Sequence, residues 1–320
     1  MAWIQETKTV VADVQPTWAM PSGAGIAAID PARFSAHRMH AIRHDYGHHP
    51  LMQLPRLAQL AHDLMPSRQC RFIRPGSTQI SEFFHTPKTP DGLGIDEVFA
   101  RIEEPGSWVA LYNVQTDPLY ARLLDEIMAS AQPLIAAGQP GVFRIAGFIF
   151  ISAPPSVTPF HIDRENNFWL QISGRKIMTV FDHTDRAVVQ ARDVEEFIVH
   201  GSLDKVRLDP ALRHHGRDFN VGPGDGVYFP ATSPHMTRTT TEWVRPGDGV
   251  SISIGVVFYT ATTRRQAQVH QCNRLLRKLG LHPSFPGTSP WRDAIKAPIG
   301  RTLAASRARF RGYAAPPGAY

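Results

Sequence analysis

His161, Asp163 and His235 are the residues whose types and spacing point most directly to chemistry. Side chains two apart on a strand share a face, so a strand over His161-Ile162-Asp163 projects an imidazole and a carboxylate together. A second imidazole, His235, follows Gly224-Asp225-Gly226-Val227-Tyr228-Phe229-Pro230 far downstream. Two imidazoles and one carboxylate on one side of a metal leave its other positions open. Such a set suits non-heme Fe(II), which must hold a co-substrate and O2 together. The chain holds a second His-x-Asp, His183-Thr184-Asp185, at a polar strand end with no comparable downstream context. It reads as a surface turn.

The elements that must position these groups change character at Gly141. After it, short segments rich in Ile, Val, Phe and Trp follow one another: Phe143–Ile151, Thr158–Ile162, Asn167–Ile172, Lys176–Phe181, Gly226–Phe229 and Ser251–Tyr259. Closely spaced strands with Gly and Pro turns predict a mainly β core, an antiparallel barrel or double-sheet jelly roll, with flanking helices. Ser173-Gly174 reads as a hairpin turn. Helical spacing appears over Leu51–Met65, stopped by Pro66, over about 118–137, and again beyond Thr260. The expected organisation is therefore an N-terminal helical or irregular part packing on the core (1–140), the β core (141–260) and a basic helical extension (261–320).

The stretch Thr158-Pro159-Phe160-His161-Ile162-Asp163-Arg164-Glu165-Asn166-Asn167-Phe168-Trp169-Leu170-Gln171-Ile172-Ser173-Gly174-Arg175-Lys176 resembles the core of the JmjC-type, cupin-like oxygenases that depend on 2-oxoglutarate and Fe(II). It is most similar to the branch of asparaginyl hydroxylases acting on hypoxia-inducible factor. The resemblance runs from about 145 to 258 and implies a double-stranded β-helix. It implies that His161, Asp163 and His235 hold iron, and that Lys176 pairs with the distal carboxylate of 2-oxoglutarate. Thr158 is similar to a threonine that bonds that carboxylate, Asn167 to an asparagine at the ketoacid end, and Tyr112, more loosely, to an upstream tyrosine touching the distal carboxylate. The implied activity consumes O2 and 2-oxoglutarate, hydroxylates a C–H bond and releases succinate and CO2. One departure stands out. The strand Ser251-Ile252-Ser253-Ile254-Gly255-Val256-Val257-Phe258 has no asparagine where that branch often carries one.

A lysine inside a barrel is costly unless an anion accompanies it, and a dicarboxylate supplies one. Without that anion, the same barrel would serve as a cupin-type metal-binding regulatory protein, or as a zinc or manganese isomerase or hydrolase. The substrate, a protein side chain or a small metabolite, is not legible in the sequence.

Composition bounds the setting. Of 320 residues, 42% are hydrophobic and 19% charged, which excludes disordered and fibrous classes. Two cysteines, Cys70 and Cys272, cannot build a disulfide framework. With Glu6 and Asp13 interrupting the N-terminal stretch and no long apolar run, the expectation is a cytoplasmic protein without a membrane span. Residues 261–320 hold eleven Lys and Arg against Asp293 alone. That charge reads as a solvated helical face or a tail docking on the acidic body; nucleic acid is not expected as a partner, because base-stacking motifs are lacking. Leu275, Leu276, Leu279 and Leu281 form an apolar stripe through which two copies could pair.

Overall fold

The computed structural model describes residues 25–73, 76–243 and 249–311. In chain order its strands are β1 (Ile26–Ala28), β2 (His40–His44), β3 (Cys70–Ile73), β4 (His85–Thr86), β5 (Trp108–Leu111), β6 (Phe143–Ser152), β7 (Ser156–His161), β8 (Asn166–Ser173), β9 (Lys176–Val180), β10 (Arg217–Val221), β11 (Asp225–Phe229), β12 (His235–Thr239) and β13 (Ser251–Tyr259). The helices are α1 (Leu54–Leu64), α2 (Ile95–Ala100), α3 (Pro118–Ile135), α4 (Ala191–His200), α5 (Ala261–Lys278) and α6 (Pro290–Arg311).

Two antiparallel sheets face each other. The larger runs β1-β2-β11-β8-β13-β6-β5-β3-β4 and the smaller β10-β9-β12-β7. The protein is thus mainly β with flanking helices, in jelly-roll form. Alternation along β13 shows how one strand serves two compartments. Ile252, Ile254, Val256 and Phe258 join Phe168, Leu170 and Ile172 of β8 in a core shared with α1 and α3. Each such side chain contributes roughly 1.5–3 kcal/mol by leaving water. Ser251, Ser253 and Gly255, at the intervening positions, face inward toward the smaller sheet.

Local chemistry sets the helix starts. The Asp117 carboxylate accepts the Leu119 N–H at 2.8 Å ahead of Pro118 in the first turn of α3. Thr260 and Thr263 cap each other's backbone at the start of α5. Arg274 and Arg277 of α5 pair with Glu196 and Glu195 of α4 at 2.7 and 2.9 Å, so part of the basic C-terminal charge docks on acidic groups of the body. No helix among the described residues is long and apolar enough to cross a membrane.

Three expectations change. The N-terminal part is not only helical or irregular: it adds β1–β5 to the larger sheet. These strands are short, and a run such as Trp108-Val109-Ala110-Leu111 is buried throughout, so it carries no alternation to read. The turn at Ser173-Gly174 does not close a hairpin. Strand β8 pairs with β11 and β13, whereas β9 pairs with β10 and β12, so the turn carries the chain from one sheet to the other. Finally, Asp163 lies just beyond the end of β7 rather than on the strand.

Candidate metal centre

Strand β12 lies between β9 and β7 in the smaller sheet and organises the inward-facing side chains in rows. His235 sits opposite His161 of β7 on one side and Val180 of β9 on the other. Thr237 sits opposite Thr158 and Met178, and Thr239 opposite Ser156. Between the first two rows, Met236 alone faces two residues of β7, Pro159 and Phe160. This bulge resets the alternation of β7, so that Thr158 and His161, three apart, both point inward.

The histidines are held by their backbone-side nitrogens. His161 Nδ1 lies 2.8 Å from the Pro159 carbonyl and His235 Nδ1 lies 3.0 Å from the Ser233 carbonyl. A carbonyl accepts only, so each Nδ1 carries the proton and each Nε2 presents a lone pair. Burial first, and the neighbouring His235 second, push the His161 imidazole down to about 4, which keeps it neutral near pH 7. Asp163 completes the group: its oxygens lie 4.0 Å from His161 Nε2 and 3.5 Å from His235 Nε2. Those separations exceed a good hydrogen bond and leave room for an ion between the three. All three ligand atoms fall within 4.8 Å of one another. The donor set fits a divalent transition metal with open positions. The ring of Phe83 stacks on His161 with centroids 4.1 Å apart, and Phe229 packs against His235 at 4.7 Å, which fixes both imidazoles.

Lys176, the next inward residue of β9 beyond Met178, is 4% exposed. It makes no ion pair or hydrogen bond among the described residues, and burial lowers its ammonium to about 7. Its place along the sheet is four residues from the His235 row, about 13 Å at strand rise. Thr158 stands between. Its Oγ accepts the Trp108 indole N–H at 3.3 Å, leaving its own proton to donate.

Asn167 faces the same interior from β8. Its Oδ1 is buried without a partner. A Cβ at Gly255 would lie 3.2 Å from that oxygen and 3.3 Å from Nδ2. The glycine on β13, in the strand that lacks an amide, thus makes the space in which the Asn167 amide lies. Gln171 Oε1, Ser152 Oγ and Ser253 Oγ are further buried acceptors without partners on this face. A polar interior with so many open valences is prepared for a polar ligand or for water. Tyr112 follows β5 and packs on Phe148 at 4.8 Å and His85 at 5.1 Å. Burial, and then the charge of Asp163, raise its hydroxyl well above the usual range, so it remains a protonated donor.

Four residues near the motif in sequence are engaged elsewhere or in packing. Arg164 turns away to the Phe197 carbonyl of α4 at 2.7 Å, and Trp169 joins the apolar packing between the sheets. Glu165 accepts from Tyr259 at 2.6 Å, and His183 contacts the His37 carbonyl at 3.2 Å. Gln171 lies within the motif that carries the resemblance, whereas Trp108 and Phe83 belong to no motif in the sequence. Only the aromatic character of Trp108 beside the Tyr112 segment offered any signal.

No family model matches the chain, and no curated protein matches it. Among solved structures the chain is similar to YcfD, a ribosomal oxygenase of Escherichia coli, at TM-score 0.47 and 16% identity over 89% of this chain and 69% of that one. A complex of YcfD with cobalt and 2-oxoglutarate gives TM-score 0.43 and 19% identity, over 87% of this chain and 65% of that one. SnoK, an α-ketoglutarate-dependent carbocyclase of nogalamycin biosynthesis, gives 0.45 and 14%, over 74% and 85%.

Proposed function

We propose that the chain is a 2-oxoglutarate- and Fe(II)-dependent oxygenase that hydroxylates a C–H bond of a protein side chain or small metabolite and releases succinate and CO2. The observation that carries this reading is the buried, unpaired Lys176 facing the same interior as two imidazoles with free Nε2 atoms and a carboxylate. A metal-binding barrel without a co-substrate has no use for a buried ammonium at that place. The resemblance of residues 158–176 to JmjC-type oxygenases supports the same conclusion.

In this reading His161, Asp163 and His235 hold Fe(II). The Pro159 and Ser233 carbonyls keep the imidazoles in the ligating tautomer and orientation. Lys176 and the Thr158 hydroxyl bind the distal carboxylate of 2-oxoglutarate, with Trp108 fixing the direction of the hydroxyl proton. The Asn167 amide addresses the ketoacid end, and Tyr112 is a donor on the adjoining wall. The iron and its co-substrate, when bound, supply the activation of O2, one oxygen atom going to the substrate and the other to succinate. Phe83, Phe148 and Phe229 exclude water from that space and hold the substrate's C–H bond near it. A cytoplasmic setting and pairing of two copies through the C-terminal helices belong to the same proposal; Leu279, Trp291, Ile295 and Ile299, all exposed, support the pairing.

Succinate production tests the reading. Protein reconstituted with Fe(II) and given 2-oxoglutarate and O2 is expected to release succinate slowly even without substrate, and the His161→Ala and Lys176→Ala variants are expected to release none. Folded, iron-loaded protein that releases no succinate would reject the assignment and favour a metal-binding regulatory barrel.

A further inference from the structure

Arg71 is a second cation on the inward surface with no anion beside it. On β3 it lies directly opposite Ala110 of β5, whose neighbour two residues back, Trp108, reaches inward to Thr158. Antiparallel partners share a face, so Arg71 points inward over a residue too small to cover it. Among the described residues it has no hydrogen bond and no ion pair, and its Nε is buried without a partner. His85, opposite Ile73 on β4, shares this face and has an unpartnered buried Nδ1.

Aromatic rings join this corner to the metal centre. Phe83 stacks on His161 at 4.1 Å and meets His85 edge-on at 5.4 Å, and His85 meets Tyr112 at 5.1 Å. The corner is separate from Lys176, which projects from the facing sheet. The backbone at Gln79 closes this side by accepting the Phe160 N–H at 2.9 Å. A planar guanidinium matches a carboxylate with two parallel hydrogen bonds, and an aromatic wall holds an apolar body between that carboxylate and the metal.

Resting on the oxygenase reading, we infer that Arg71 binds the carboxylate of the substrate, a small carboxylic acid with an apolar or aromatic body laid along Phe83 and Tyr112. Arg71 is then a specificity-determining residue, and the unpartnered His85 Nδ1 is the second group that the acid meets.

The test uses the full chain loaded with Mn(II) and saturating 2-oxoglutarate without O2. It follows paramagnetic broadening of the fluorine signal of 4-fluorophenylacetate against its neutral amide. The acid is expected to be broadened saturably and to bind about tenfold or more tightly than the amide. Arg71→Gln is expected to remove that preference and Arg71→Lys to retain part of it, each with 2-oxoglutarate affinity held within about twofold. Equal broadening of acid and amide in the unaltered protein, or an undiminished preference in Arg71→Gln, would overturn the inference. So would loss of 2-oxoglutarate from Arg71→Gln with Mn(II) still bound, which would assign Arg71 to the co-substrate. Unaltered protein that holds Mn(II) but no 2-oxoglutarate would instead reject the oxygenase reading, and this inference with it.

Discussion

His161-Ile162-Asp163 and His183-Thr184-Asp185 are the same tripeptide pattern in two regions of one molecule, and their surroundings leave their ligand atoms differently available. In the first, backbone carbonyls engage both Nδ1 atoms of the histidine pair, and Nε2 is left free beside Asp163. In the second, the Nε2 of His183 is already engaged by the His37 carbonyl, and Asp185 is engaged by His215 Nδ1 at 2.6 Å. Ligand type is equal; ligand availability is not. A histidine becomes a metal ligand when the fold satisfies one nitrogen and withholds partners from the other.

Breaking each copy in turn gives the largest expected contrast. His161→Ala or Asp163→Ala is expected to weaken Fe(II) or Mn(II) binding by about a hundredfold or more, whereas His183→Ala and Asp185→Ala leave it within about twofold, as read by metal titration. Equal losses from both pairs would dissolve the distinction.

Lys176 sharpens the comparison, because in the proposed reading the first region takes an anion as well as a metal. Lys176→Met keeps the stem and removes the charge. It is expected to stabilise the ligand-free protein by about 1–3 kcal/mol in denaturant unfolding while reducing 2-oxoglutarate affinity by about a hundredfold or more. A destabilised variant that still binds the co-substrate would contradict the role given to the ammonium.

The pH dependence follows from the same residue. Burial lowers the Lys176 ammonium to about 7 in the ligand-free protein. A dicarboxylate binds the protonated form, so affinity is flat below about pH 7 and falls toward tenfold per unit above it, with proton uptake on binding. Calorimetry in buffers of different ionisation enthalpy reads that uptake directly. Affinity that rises between pH 7 and 9 would have the wrong sign. The stability effect runs the other way: the unfolded chain keeps this proton up to its ordinary pKa, so unfolding free energy gains from this group as pH rises above 7.

The smallest expected effect concerns the threonine hydroxyl. Trp108→Phe removes the indole donor to Thr158 and is expected to cost about 1 kcal/mol of 2-oxoglutarate affinity with metal binding unchanged.

The contrast between the copies was visible in the sequence, since only His161-Ile162-Asp163 had the Thr-Pro before it and the Asn-aromatic run after it. So was most of the jelly-roll core: each of the six expected strands has a counterpart in the structure, with ends shifted by at most two residues, while β10 and β12 of the smaller sheet, short and rich in polar residues, carry no such signal. What the sequence could not carry was geometry that depends on pairing. The bulge opposite Met236, which brings Thr158 and His161 to one face, exists only between two strands. The crossing at Gly174 looks like a hairpin because turn residues dictate the bend and not the strands' partners. Arg71 approaches the centre through strand order and Phe83 through the segment leading into β4, each more than seventy residues before His161.

The most direct test of the central claim is anaerobic addition of Fe(II) and then 2-oxoglutarate to the purified protein, watching the visible spectrum. The account predicts a weak charge-transfer band that appears only with both present, is lost in His161→Ala, is weakened in Lys176→Met and is unaffected in His183→Ala. No band from folded protein with iron bound, or a band that survives in His161→Ala, would contradict it.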